Sequence, residues 1–99
     1  MGKKLLEHEG GFKREDKSHK LDFTLIPLSQ LEHLALHYTE GAVVHGRDNW
    51  KKSKDIITFK QSAYRHFIAW MKDEKDEDHA SALVWNVFCH EYLKENKNE

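Results

Sequence analysis

The chain has one cysteine and one proline in 99 residues, and these shortages exclude a good deal. A lone Cys89 rules out a disulfide framework within one chain. Its apolar neighbours make it a buried structural thiol rather than a nucleophile or a metal ligand. No stretch is apolar for long enough to cross a membrane. The opening Met1-Gly2-Lys3-Lys4-Leu5-Leu6 has no sustained apolar run, and position six is Leu where a myristoylation signal wants Ser or Thr, so no leader or lipid anchor is expected. Neither sign of charge is in excess. Sixteen Lys and Arg against 17 Asp and Glu leave −1 with histidine neutral, which is no basic field for duplex nucleic acid. No membrane partner and no duplex nucleic acid are therefore expected, and a reducing cytoplasm fits best. Glycine-rich phosphate loops, nucleophile elbows, His-Glu-x-x-His strings and Cys/His zinc patterns are also missing.

What is present is a globular balance, 38% hydrophobic and 33% charged, with eight histidines whose titration turns the net charge positive in mild acid. The length suits one modest core. Residues 1–19 mix Gly10-Gly11 with charges and show no apolar period, which predicts a flexible N-terminal arm. Residues 20–95 read as a single helical domain and residues 96–99 as a disordered tail.

Residues 21–26 are partly alternating and stopped by Pro27, which predicts an extended lead-in. A first helix is predicted from residues 27–29 to Gly46, since proline is tolerated in a first turn and glycine takes a left-handed C-terminal position. Leu31, Leu34, Ala35, Tyr38 and Ala42 form its core stripe, with His33, His37, Glu40 and Val44 on a neighbouring line. Gly41 inside it costs about 1 kcal/mol relative to alanine, which points to fraying or to a close approach to the backbone. Periodicity fails over residues 47–57, a polar loop carrying Asn49, Trp50 and Lys51-Lys52-Ser53-Lys54. Thr58 with Gln61 matches a capping box and predicts a second helix through Tyr64, Phe67, Ile68 and Met71. Acids at residues 73–78 then suit the start of a third helix, predicted from residues 76–78 to about residue 94.

Ala80, Leu83, Val84, Trp85, Val87, Phe88, Cys89, Tyr92 and Leu93 cover most of the third helix, as expected of one surrounded by protein. His79, Leu83, Asn86 and His90 share one line. An unpaired buried Asn86 amide costs about 1–3 kcal/mol, so another helix or a ligand is expected to supply its partners. The fold class is all-α: a small antiparallel bundle of three main helices, completed by oligomerisation because so short a chain buries a limited fraction of its surface.

The polar residues allow more than one reading. Glu74 with Asp78 or Glu40 offers the carboxylate oxygens that a hard Mg²⁺ or Mn²⁺ takes, or forms a solvated acidic turn. Arg65 and His66 contact phosphate, or else pair with a surface acid and sit as a satisfied core histidine. Trp50 stacks on a base or caps the core.

Leu25-Ile26-Pro27, Glu40-Gly41-Ala42, Gly46-Arg47-Asp48-Asn49-Trp50, Arg65-His66, Asp76-Glu77-Asp78-His79 and Trp85-Asn86 follow one another in that order. In this combination residues 20–93 resemble the phage-associated dATP/dGTP diphosphohydrolase N-terminal family, similar in character to the all-α, MazG-like nucleotide pyrophosphohydrolases. The resemblance implies Mg²⁺- or Mn²⁺-dependent cleavage of a deoxynucleoside triphosphate to monophosphate and pyrophosphate, by a homo-oligomer in the cytoplasm, the host's if the chain is phage-encoded. It implies Glu40, Glu74 and Asp78 as metal ligands, Arg65 and His66 toward phosphate, and a nucleotide pocket shaped by Asn49, Trp50, His79 and Asn86. The chain has no Glu-Glu-x-x-Glu string of the MazG type. A non-catalytic module that sequesters a nucleotide or nucleotide signal, as in phage counter-defence, is therefore the alternative. A third reading is an interaction protein whose His79 and Asn86 pair with a neighbouring helix.

Overall fold

The computed structural model describes residues 20–97, so the arm read over residues 1–19 and the end of the tail lie outside the described residues. Among those residues the fold is a helical bundle of α1 (Leu28–His45), α2 (Ile57–Met71) and α3 (His79–Glu95), with no strand. The third helix is the centre, packed mainly against α2 and also against α1.

Local chemistry sets each boundary. Pro27, at φ −58°, stands where its missing N–H is no loss, and α1 starts at the next residue. Gly46 ends the helix at φ 96°, a conformation that strains any side chain, and its N–H bonds the Ala42 carbonyl at 2.8 Å. The lead-in is not extended. The Asp22 carboxylate accepts the Thr24 N–H at 3.0 Å and winds Phe23–Leu25 into a 3-10 turn, a local bond that wins over the alternating pattern. Within the polar loop, Asn49–Lys52 form another such turn.

The capping box at Thr58 does not form. Thr58 lies inside α2 and its hydroxyl donates to the Asp55 carbonyl at 2.9 Å, because α2 begins at Ile57, before the point the motif implies. At the other end the Asp73 N–H bonds the Trp70 carbonyl and the Glu74 N–H bonds the Ala69 carbonyl, both at 3.0 Å. This is the Schellman arrangement, with Asp73 at φ 58° in the position that usually holds glycine. Asp78 then caps α3, accepting the Ser81 N–H at 3.0 Å and its hydroxyl at 2.8 Å. The backbone donor is the chief reason why the Asp78 carboxyl lies below the usual carboxylate range.

Phe59 and Ala69 of α2 meet the small buried residues Ala82 and Cys89 of α3 in the core. Burial pushes the Cys89 thiol up to about 12, so it is protonated and inert at neutral pH. Trp85 joins the helices. Its ring lies 5.4 Å from His37 and 6.1 Å from Tyr38, both on α1, and 5.8 Å from Phe59 on α2. Such pairs add about 0.5–1.5 kcal/mol each beyond the area they bury.

Two expectations about α3 need correction. It is not enclosed: Val84, Val87 and Phe88 are exposed, because two neighbouring helices cover only part of its circumference. Asn86 is buried as expected, yet its amide donates at 2.8 Å to the Ala82 carbonyl of its own helix. Neither another helix nor a ligand is needed for that donor.

Removing the cap with Asp78→Ala should lower stability by about 1 kcal/mol. Asp73→Gly should raise it by up to about 1 kcal/mol, since the left-handed position then costs nothing sterically. Urea unfolding of both variants checks the two signs.

Candidate functional site

The Schellman turn at the end of α2 and the Asp78 cap together fold a run of acids back against the last turns of α2. His66, near the middle of α2, meets His79, the first residue of α3, with ring centroids 5.1 Å apart. Their Nδ1 atoms face one another at 2.9 Å, and the other ring nitrogen of His79, Nε2, lies 2.7 Å from an Asp76 oxygen. His79 is only 8% exposed, so these contacts fix its ring.

Charge follows from geometry. The hydrogen bond to Asp76 raises the His79 pKa above the ordinary histidine value, and the same bond holds Asp76 below the usual carboxylate range. Burial pushes His66 the other way, below its ordinary value, against an upward pull from Glu77. Both contacts are satisfied by a cationic His79 that donates Nε2–H to Asp76 and Nδ1–H to a neutral His66, and equally by a neutral His79 that keeps Nε2–H toward Asp76 and accepts Nδ1–H from His66. On α1, His33 Nδ1 stands 4.0 Å from an Asp78 oxygen. His37 lies tilted against Trp85, with 52° between the ring planes, on the side of α1 that neighbours His66 and Asp78.

Two groups of ligand atoms converge here, each within 4.8 Å: His66 with Glu77 and His79, and Glu74 with Asp76 and His79. The pair of carboxylates in the second group suits a hard divalent ion that also keeps waters or substrate oxygens.

A second feature lies between α1 and the turn that follows it. A cavity of about 370 Å³ is bounded by Tyr38, Gly41, Gly46, Arg47, Asn49, Trp50 and Trp85. Nothing stands within 4 Å of where a Cβ on Gly41 would be, so the glycine leaves this part of the wall open. Among the described residues nothing approaches its backbone, and the helix does not fray there, contrary to both expectations. Trp50 packs its ring 6.4 Å from Tyr38 and 5.3 Å from Tyr92, and Lys51 lies over Tyr92 at 4.9 Å. The tryptophan thus caps the core and walls the cavity at once. Burial pushes the Tyr38 hydroxyl up to about 12, so this wall is uncharged at neutral pH.

Of the residues singled out in the sequence, the structure brings His66 and Glu74 each to His79, in two separate groups, and places Asn49 and Trp50 on the cavity. Glu40 and Arg65 are exposed on α1 and α2 and belong to neither convergent group; Asp78 caps α3, and Asn86 lies two turns further along the same face of it. Sequence reasoning assigned no role to Asp76, Glu77 or His37. The spacing of Asp76 and His79 across a helix start was the available signal for the first. Nothing local marks the others, because His37 reaches the site only through packing of α1.

An all-α bundle with imidazoles and acids at one helix junction, beside an aromatic cavity, is the class of protein that fold and site define. The chain belongs to the dATP/dGTP diphosphohydrolase N-terminal family, whose model matches residues 11–99. No curated protein and no solved structure matches the chain.

With chelator present, His79 should titrate above the ordinary histidine value of about 6.5 and His66 below it, and Asp76→Asn should bring His79 down. A raised His79 contributes stability that is complete below pH ~6.5 and lost as pH rises through its folded pKa. A lowered Asp76 contributes stability that is lost as pH falls through its own. The pair is therefore strongest between about pH 4 and 6.5, and Asp76→Asn should cost more at pH 5.5 than at pH 8. Imidazole NMR titrations and urea unfolding at both pH values check this.

Proposed function

We propose that the chain is a nucleotide pyrophosphohydrolase that cleaves dATP- or dGTP-like deoxynucleoside triphosphates to monophosphate and pyrophosphate. The observation that carries this reading is the juxtaposition of a base-sized aromatic cavity with the junction of histidines and acids, joined through His37 on Trp85. The membership of the family supports it.

In this reading the base enters between Trp50 and Trp85, with Asn49 and Arg47 at its polar edge. The triphosphate runs toward the α2–α3 junction, where His66 and Arg65 approach phosphate. Glu74 and Asp76 would hold Mg²⁺ or Mn²⁺, with Asp78 a further carboxylate at the start of α3. The ion's chemistry there is to neutralise phosphate charge and acidify a water. Water attacks the α-phosphorus, the bond to the bridging oxygen breaks, and pyrophosphate leaves with that oxygen. His66, kept neutral by its surroundings, accepts the proton of the attacking water. The pool it acts on is cytoplasmic, the host's if the chain is phage-encoded.

Assembly belongs to the same reading. Phe67 and Trp70 of α2, and Val87 and Phe88 of α3, are exposed around a core of very few buried side chains. A second copy of the chain covers them, since a monomer rarely leaves so much apolar surface in water. Light scattering on the purified chain should give a mass above that of one copy.

One observation favours a second reading. Among the described residues each convergent group contains at most two carboxylates, which suits a module that binds the nucleotide without cleaving it. Incubation with Mg²⁺ and dATP or dGTP separates the two: monophosphate with pyrophosphate means hydrolysis, whereas intact nucleotide recovered from heated complex means sequestration. Gly41→Leu should fill the cavity and abolish binding. Gly41→Ala should stabilise α1 by up to about 1 kcal/mol. Calorimetric binding and thermal unfolding read the two effects apart, and undiminished binding by Gly41→Leu would remove the cavity from the site.

A further inference from the structure

The facing imidazoles of His66 and His79 do more than share a proton. In metalloproteins a carboxylate commonly accepts the hydrogen of one ring nitrogen of a ligating histidine, which fixes the tautomer and turns the other nitrogen toward the ion. Asp76 stands in that relation to His79: its oxygen lies 2.7 Å from Nε2, which leaves Nδ1 as the outward ligand atom. His66 presents its own Nδ1 at 2.9 Å from it, and Glu77 adds a carboxylate oxygen within 4.8 Å of both rings.

The spacing suits a metal as well as a proton. Two nitrogens each about 2.05 Å from one ion are about 2.9 Å apart when they meet it at a right angle, and about 3.3 Å at the tetrahedral angle. Loading requires only that the rings pivot until both lone pairs converge beside the line between them. His66 is half-buried on the side of a helix, while His79 is buried and held by Asp76.

We infer that His66, His79 and Glu77 form a two-imidazole, one-carboxylate site for a borderline divalent transition ion of the Zn²⁺ and Co²⁺ class, with Asp76 as the residue that orients His79. Imidazole nitrogen prefers these ions over Mg²⁺, and affinity rises along the first row toward them. Three protein ligands leave a further position open to water or to an oxygen of a bound molecule. The site stands independently of the nucleotide reading, because its donors are complete without a phosphate.

Titration of the purified, metal-free full chain with Co²⁺, without nucleotide, tests it. The expected result is a visible d–d absorption band that saturates at one ion per chain, is quenched by Zn²⁺ and persists in excess Mg²⁺. His66→Ala and His79→Ala should each abolish the band, with helicity by circular dichroism showing that the fold survives. Asp76→Asn should weaken Co²⁺ binding by about 10- to 100-fold through loss of the orienting bond. His66→Ala, half-buried on α2, keeps the test decisive if the buried His79 variant unfolds. No band in the wild-type chain, a band retained in His66→Ala, or displacement of Co²⁺ by Mg²⁺ overturns the inference. Because the titration contains no nucleotide, none of these outcomes bears on pyrophosphohydrolase activity.

Discussion

The ring of Trp85 is the contact on which the bundle depends. Two helices cannot enclose a third, so the core holds few buried side chains, and most of the large apolar residues keep substantial exposure. What unites the three helices is a run of tilted and edge-on aromatic contacts. Trp85 reaches His37 and Tyr38 on one side and Phe59 on the other, and Tyr38 passes the chain of rings on to Trp50. The same ring bounds the cavity and, through His37, borders the junction of histidines and acids. Stability and site geometry are therefore not separable at this residue.

The polar groups on the inner face of α3 are satisfied in ways that need little from the rest of the molecule. Asn86 bonds back to its own helix, Asp78 caps the first turn, and His90 pairs with the neighbouring Glu91. His79 is different. Its ring is held by Asp76 from the connection and meets His66 from another helix, so it alone among these groups records how α2 and α3 come together. A buried polar residue that spends its hydrogen bonds across elements, rather than within one, is the place where chemistry gathers in this fold. The Schellman turn makes this possible. By reversing the chain within two residues of the end of α2, it returns Glu74, Asp76 and Glu77 to the side of the helix that carries His66.

Much of this was legible in the residues. The spacing of Leu31, Leu34 and Tyr38, the stop at Gly46, and the line through His79, Leu83, Asn86 and His90 follow from a period of 3.6 residues and from backbone freedom at glycine. Those are local properties, which any sequence carries openly. The misreadings also have local causes. At Asp22 a side chain captured a backbone N–H and turned an apparently extended segment, and at Thr58 a motif matched in letters while the helix began earlier. In both, competing hydrogen bonds of about 1 kcal/mol decide the outcome, a margin that patterns do not resolve.

The sequence by itself determined the class of fold, the ends of α1 and the polar line on α3, because each depends on residues within a few turns of one another, and it carried the family resemblance through the order of short motifs along the chain. Only the tertiary structure decided that His66 and His79 meet nitrogen to nitrogen, that Asp76 orients the pair, and that Glu40 and Arg65 stand apart from the convergent ligand groups. It also decided that Asn86, first noticed as a buried amide in want of a partner, finds one a single turn away. Distances between α2 and α3 are set by how Ala82 and Cys89 pack against α2, and by the turn that reverses the chain. Such distances sum many small contacts across residues remote in sequence, and no spacing along the chain encodes them.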